Sequence, residues 1–289
     1  MKAQYKATIF MMGAMLSFTL MAIAGRQLSN RLDTFEIMMY RSLIGIVIIL
    51  AFGYYFKTLT EIKFHKLRLH ALRNLFHFSG QNLWFFALNL IPLSQLFAFE
   101  FTTPLWVIIF APFFLGEKLT LARTLCVALG FSGILFILKP DTPSFNYGVF
   151  AAALCALGFA GTFLCTKTLT KTESITCILF WLVVMQSVFG LISSGFDGQI
   201  AFPKSSEVIW VLLISFCGLT AHYCITNALK LGSTMLIVPL DFMRLPLISL
   251  VGFFLYDENL AWQIVVGAFL IFIANILNIK IENRLTKTK

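Results

Sequence analysis

Charge is what this chain has least of. Asp, Glu, Lys and Arg together make up 12% of its 289 residues, against about 25% in an ordinary soluble domain. No hydrophilic stretch exceeds about fifteen residues, which leaves no room for a soluble domain beside the apolar segments. The G-x-x-x-x-G-K loop of an ATP-driven pump is missing. So are the His-x-x-x-His, Gly-x-Ser-x-Gly and paired acidic patterns that a membrane-embedded enzyme acting on lipids would need. Disulfide frameworks are excluded as well: the six cysteines (Cys126, Cys155, Cys165, Cys177, Cys217, Cys224) fall inside or at the ends of apolar segments, without metal-ligand spacing, and read as small core residues. No enzyme activity, cofactor or metal is expected.

Hydrophobicity is what the chain has instead. Apolar residues make up 59% of it, with a mean hydropathy of +0.87. Segments long enough to cross a bilayer, for which roughly 20 residues are needed, occur at about 7–24, 35–56, 70–90, 93–115, 120–138, 147–165, 174–194, 206–229, 233–255 and 260–279. Each is continuously apolar instead of alternating, which predicts helices and not barrel strands. The expected fold is an all-α integral membrane protein of ten transmembrane helices.

The net charge of +9 has a topological explanation. With the N-terminus inside, sixteen Lys and Arg fall on the inner side, Arg73, Lys118 and Arg123 among them, and only Arg26, Arg31, Lys139 and Lys204 on the outer side. The positive-inside rule then predicts a multi-pass protein of the inner membrane with both termini cytoplasmic. Nucleic acid is not an expected partner. The basic segment Lys57 to Arg68 reads either as lying on an anionic leaflet or as a solvated loop; Asp141 to Ser144 and Ser194 to Gly198 read as turns.

An internal repeat organises the rest. Shifted by 141 residues, the two halves align without gaps: Leu16, Phe18 and Leu28 fall on Leu157, Phe159 and Leu169, and Arg26 falls on Lys167. Glu100 and Phe101 meet Asp241 and Phe242, while Glu117 and Leu119 meet Glu258 and Leu260. Residues 1–139 and 140–289 form the two expected units. Five spans is an odd number, so the second unit must enter the membrane from the opposite side, an inverted repeat of the kind used for alternating access. The repeat also argues against reading Lys2, Lys6 and the following apolar run as a cleaved signal peptide, since that would leave the sixth span without a counterpart.

The sequence resembles a known family at specific points. MMYRSLIGIVIIL around Arg41, TTPLWVIIFAPFFLGEKLT in the fourth span and ALGFSGILFI in the fifth are similar to the EamA-type branch of the drug/metabolite transporter superfamily. The most specific part is a P-x11-GE-x-L pattern at Pro104, Gly116, Glu117 and Leu119. The second copy departs from it, with Pro246 one place later and Asp257 in place of the glycine. The resemblance implies ten helices, alternating access and transport of small organic metabolites; it does not give the substrate.

Four ionisable residues lie well inside spans, where a charge costs roughly 2.5–3.5 kcal/mol on insertion scales and marks a functional site by default. They are Arg41, Glu100, Asp241 and Arg244. Asp241 has Arg244 at i+3, close enough for an ion pair. Glu100 has Thr103 there, so its expected cation is Arg41 or a histidine. Asn74, His77, Gln81 and Trp84 form a polar stripe on the third span, and Ser215, Gly218, His222 and Thr226 one on the eighth. Such stripes either join helices by hydrogen bonds or line a wet path, the reading preferred here. Phe99, Phe101 and Trp106 are candidate walls of an aromatic pocket. The expected substrate-binding set is Glu100, Arg41, Asp241, Arg244, Gln81, His77, His222 and Trp84, with Glu100 also the candidate for proton coupling.

The function expected is secondary-active transport of a small zwitterionic or cationic metabolite such as an amino acid, an amine or an S-adenosylmethionine-like sulfonium. The alternative is efflux of lipophilic cations. Expected partners are the substrate and the bilayer, with a proton the candidate coupling ion and the chain a monomer or homodimer.

Overall fold

A computed structural model describes residues 2–28, 31–91, 93–117, 119–138, 147–196, 200–256 and 262–287. The Asp141 to Ser144 turn, Lys118, Lys139, Asp197, Gly198, Asp257, Glu258 and Leu260 lie outside these residues. The described chain is all-α, with twelve α-helices joined by turns and two 3₁₀ segments. They are α1 (Lys2–Leu28), α2 (Thr34–Tyr55), α3 (Leu67–Leu90), α4 (Leu93–Glu100), α5 (Thr103–Leu115), α6 (Leu121–Leu138), α7 (Tyr147–Leu169), α8 (Ile175–Ser194), α9 (Ser205–Leu231), α10 (Thr234–Ile237), α11 (Arg244–Tyr256) and α12 (Trp262–Lys287). Five of them, α1, α2, α7, α8 and α9, are long and apolar enough by themselves to cross a membrane. Large side chains such as Val47, Phe113, Phe216 and Val265 are exposed on the outside of the bundle, where lipid tails cover apolar surface at no cost.

The fourth and ninth spans are not the continuous helices expected from their hydrophobicity. The fourth breaks between α4 and α5; the ninth passes from α10 through a 3₁₀ segment, Val238–Met243, into α11. Proline accounts for both interruptions. Pro104 sits in the first turn of α5 and Pro239 in the first turn of the 3₁₀ segment, each lacking the N–H that would continue the ladder. Hydroxyls take up the carbonyls released at the first break: Thr102 Oγ1 donates to Phe99 O at 2.7 Å and Thr103 Oγ1 to Glu100 O at 2.6 Å. Irregular backbone of this kind survives at membrane depth only where it is buried in protein or lines a cavity.

Other ends are set by local chemistry. Asp33 caps α2 by accepting from the Glu36 N–H at 2.7 Å, while Glu36 Oε2 accepts from the Asp33 N–H at 2.9 Å, a reciprocal capping box. Glu36 Oε1 also accepts from the Ala201 N–H at 2.5 Å, tying the start of α2 to the strand of chain that leads into α9. Gly116 ends α5 at φ 67°, a left-handed cap that glycine adopts without strain.

The helices pack as α1 on α9, α3 on α7, α2 on α8 and α6 on α12. At the α3–α7 crossing Gly158 meets Gly80, where a Cβ on Gly158 would come within 2.9 Å of the Gly80 Cα; small residues let membrane helices approach this closely. Element ends recur at the spacing read from the sequence. Thr34 and Ile175, Leu90 and Leu231, and Thr103 and Arg244 are each 141 apart. Swapping the halves exchanges the α1–α9 pair with α7–α3 and maps α2–α8 and α6–α12 onto themselves.

Candidate functional site

The two breaks open onto one cavity. Its volume is about 770 Å³ with the open space at its mouth included. Twelve of the nineteen residues lining it form pairs 141 apart: Phe18 with Phe159, Met21 with Thr162, Gln81 with His222, Trp84 with Ile225, Glu100 with Asp241, and Thr103 with Arg244. Corresponding positions of the two halves therefore face the same space with different chemistry.

Arg244 organises its centre. The first residue of α11, it donates from Nη2 to Asp241 Oδ2 at 2.8 Å and to Glu100 Oε1. Its guanidinium carbon lies 5.3 Å from the ring centroids of Phe18 and Phe101 and 5.8 Å from that of Phe97, so aromatic faces supplement the two carboxylates. Trp84 Nε1 donates to the other Glu100 oxygen at 2.6 Å. The cation next to Glu100 is thus Arg244, not Arg41 or a histidine. The fourth span stops being helical directly after Glu100, and the break meets the matching break of the ninth span and not α2. Asp241 keeps one oxygen, Oδ1, without a hydrogen-bond partner, and Arg244 Nε is likewise unpartnered.

A second polar group lies along α3 and α9. His77 and Gln81 line the cavity with Trp84, and His222 faces them from α9. The His77 and His222 rings meet edge-on, 4.5 Å apart, and His222 Nε2 has no partner. Arg41 does not line this cavity. Its Nη2 lies 3.4 Å from His77 Nε2, which must accept because a guanidinium only donates. Arg41 lines a smaller void with Gln186 and Ser215, and Gly218 leaves room for it: a Cβ there would sit 3.0 Å from Arg41 Nε.

The remaining stripe residues are structural. Asn74 donates to Trp181 O at 3.1 Å, Ser215 to Val211 O at 2.6 Å, and Thr226 to His222 O at 2.6 Å. Phe101 lines the cavity, but Phe99 and Trp106 pack against the core beside it. The aromatic walls are Phe18, Trp84, Phe101, Phe159 and Phe163.

Arg73 is the cavity residue that the sequence reading placed elsewhere. Counted there among the inner-loop cations, it is 1% exposed, held by Thr166 Oγ1 at 3.1 Å and Asn74 Oδ1 at 2.9 Å. Arg123, counted the same way, is also buried, against Met235. Spacing could have revealed Arg73, since 73, 77, 81 and 84 follow one helical face. Among the described residues neither Arg73 nor Arg41 has a carboxylate at ion-pair distance. Both acids are engaged with one arginine, and the arginines left with neutral partners lie away from them.

The sequence model of the EamA-like transporter family matches the chain twice, over residues 5–139 and 146–280. An S-adenosylmethionine uptake transporter of Rickettsia felis is 25% identical over 268 residues, covering 92% of this chain and 90% of that protein. Riboflavin transporters are also similar: that of Rhizobium johnstonii is 30% identical over 74% of this chain and 71% of its own length, and that of Vibrio cholerae 27% over 87% and 85%. A crystal structure of a protein 19% identical superposes with a TM-score of 0.79 over 96% of this chain and 98% of the other, a likeness of fold. The chain belongs to the EamA-like transporter family, within the drug/metabolite transporter superfamily.

Proposed function

We propose that the cavity carries a small zwitterionic metabolite with a flat heteroaromatic group, its carboxylate at Arg73 and its cationic group at the free oxygen of Asp241. The observation that carries this reading is the separation of unsatisfied charge. Arg73 and Trp84 are eleven positions apart on α3, about 16 Å along the axis, and Trp84 is bonded to Glu100 in the acid cluster. Between these ends stand Phe18, Phe159 and Phe163, whose faces suit a planar ring or a sulfonium. The relatives named for S-adenosylmethionine and for riboflavin share such a flat ring system, and the former cargo also carries a carboxylate and two cationic groups. A simple amino acid or amine would leave much of the aromatic wall uncovered. Efflux of lipophilic cations fits less well, because such a cargo has no anionic group for Arg73, whose partners are the neutral Thr166 and Asn74.

The chain is a secondary transporter of small organic metabolites and not an enzyme. In the proposed mechanism its halves are inverted copies, residues 1–139 and 140–289, with both termini cytoplasmic, and rocking them about the paired breaks exposes the cavity to each face in turn. Matching element ends, the exchange of helix pairs and the twofold family match support the repeat on which this scheme is built. Glu100 is the coupling residue in this scheme. Protonating it releases one contact of Arg244 while Asp241 holds the other. Glu100→Gln is expected to abolish accumulation driven by a pH gradient and to spare substrate exchange; undiminished gradient-driven accumulation would refute the assignment.

The substrate is tested by uptake into proteoliposomes of labelled S-adenosylmethionine, riboflavin, amino acids and a lipophilic cation. Saturable uptake and counterflow of the nucleoside-like zwitterion is the expected result, with KM raised at least about tenfold by Arg73→Gln, the loss of one charge-assisted contact. Transport of the lipophilic cation alone, or of riboflavin without any zwitterion, would overturn it.

A further inference from the structure

Away from the cavity, three metal-ligating side chains converge where α3 and α8 begin. His70, Glu173 and Cys177 are buried, and one donor atom from each lies within 4.8 Å of the other two. Cys177 Sγ is 3.5 Å from Glu173 Oε2. His70 is fully buried, yet neither ring nitrogen has a hydrogen-bond partner. Glu173, 4% exposed, leaves Oε1 unpartnered as well. Polar atoms orphaned in this way are costly and call for an explanation.

We propose that these residues bind one zinc-class divalent ion through a His nitrogen, a carboxylate oxygen and a thiolate. Zinc takes this N, O and S donor set in tetrahedral geometry, with bonds of about 2.0–2.3 Å. Such bonds hold the ligand atoms roughly 3.3–3.8 Å apart, so closing the site takes about 1 Å of side-chain movement. A fourth position is left for water. A carboxylate and a thiolate balance the ion's two positive charges, and the nearby cations are otherwise engaged: Lys66 Nζ on Thr172 Oγ1 at 2.6 Å and Arg73 on Thr166 and Asn74. The Lys63 N–H points at Cys177 Sγ from 3.4 Å, the thiol faces the Lys63 carbonyl at 3.6 Å, and Trp181 Nε1 fixes that carbonyl at 2.9 Å, outer-shell support of the kind that holds ligands in place; binding the ion releases the thiol proton. Sequence spacing hides the site, because His70 is far from the Glu173-x-x-x-Cys177 pair and the cysteines have no metal spacing among themselves. The ion would clasp the first turn of α3 to the turn between α7 and α8 and to the first turn of α8, whatever the cargo.

The test uses the full chain in detergent, stripped of metal and titrated with Co²⁺. One equivalent per chain with a thiolate-to-cobalt charge-transfer band, displaced by Zn²⁺, is expected. Cys177→Ser should lose the band. His70→Ala and Glu173→Gln should each weaken binding at least about tenfold, the effect of losing even an outer-shell partner. Zinc X-ray absorption on the unmodified protein needs no variant and should show one sulfur ligand at about 2.3 Å. No stoichiometric uptake, a band that survives in Cys177→Ser, or a zinc shell without sulfur would each overturn the proposal.

Discussion

Arg244 touches both carboxylates of the cavity, so the three charges form a unit whose members are not equivalent. Removing Glu100 leaves a balanced Arg244–Asp241 pair at 2.8 Å. Removing Arg244 leaves two acids together in a buried site, and a buried charge stripped of its partner costs about 3–5 kcal/mol. Arg244→Ala is therefore expected to melt well below Glu100→Gln in detergent, where the second change removes one charge-assisted bond of about 1.5–3 kcal/mol. Adding Glu100→Gln and Asp241→Asn to Arg244→Ala should recover much of the loss. Equal melting temperatures for the two single variants would show that the cluster does not act as a unit. The acids and Arg244 were legible in the sequence because a charge deep in an apolar run stands out. The Asp241–Arg244 pair was legible as well, from its i+3 spacing; the contact of Arg244 with Glu100 was not, because depth along a helix does not say which neighbour on another helix a side chain meets. Arg73 was misplaced for a related reason: near the end of a span, position alone cannot distinguish a buried guanidinium from a solvated one.

At the scale of elements, the Gly-Glu pair after α5 closes a contact that its sequence pattern alone does not explain. Glu117 Oε1 accepts from the Thr234 N–H at 2.9 Å and its hydroxyl at 2.6 Å, and Oε2 accepts from the Met235 N–H at 3.2 Å. Glu117 is thus a helix cap supplied in trans: it satisfies the first N–H groups of α10, where a negative charge also suits the helix dipole. From the other side Lys167 Nζ donates to Leu229 O and Gly232 O, both at 2.6 Å, capping the end of α9. The turn between α9 and α10 is held by one charge at each helix end, and that turn carries the chain into the broken ninth span. Glu117→Ala should lower stability by about 1–3 kcal/mol, the cost of leaving buried donors unsatisfied. Glu117→Gln, which retains one acceptor oxygen, should lose less. Thermal melts of the two variants decide this, and a neutral Glu117→Ala would show that the contact contributes nothing. The broken spans themselves escaped the sequence reading, since hydropathy averages over a window and two half-helices score as one span. Pro104 and the later Pro239 were the available signals, and membrane helices often tolerate proline without breaking.

For the molecule as a whole, the 141-residue offset was the most legible feature, because it needs only the order of residues and not their contacts. It recurs in three pairs of element ends and in six pairs of cavity residues. A spacing common to both levels is expected if one ancestral unit built both halves and the substrate space formed on the axis relating them. The two units need not be chemically alike for this to hold: Thr103 corresponds to Arg244 and Gln81 to His222, so the shared framework carries an asymmetric site. What the offset leaves open is the sense of insertion, and Tyr55 and Phe196 provide a direct test. They are 141 apart, 78% and 92% exposed, at the end of α2 and just beyond the end of α8. Parallel units would put both on one face of the membrane; inverted units put them on opposite faces. The six native cysteines are buried, so a cysteine placed at either position can be labelled over a low background. With a membrane-impermeant maleimide on intact cells, Phe196→Cys should react at once and Tyr55→Cys only after permeabilisation. Labelling of both from outside, or of neither, would mean that the units enter the membrane in the same sense, and the alternating-access scheme would then have no symmetry to act through.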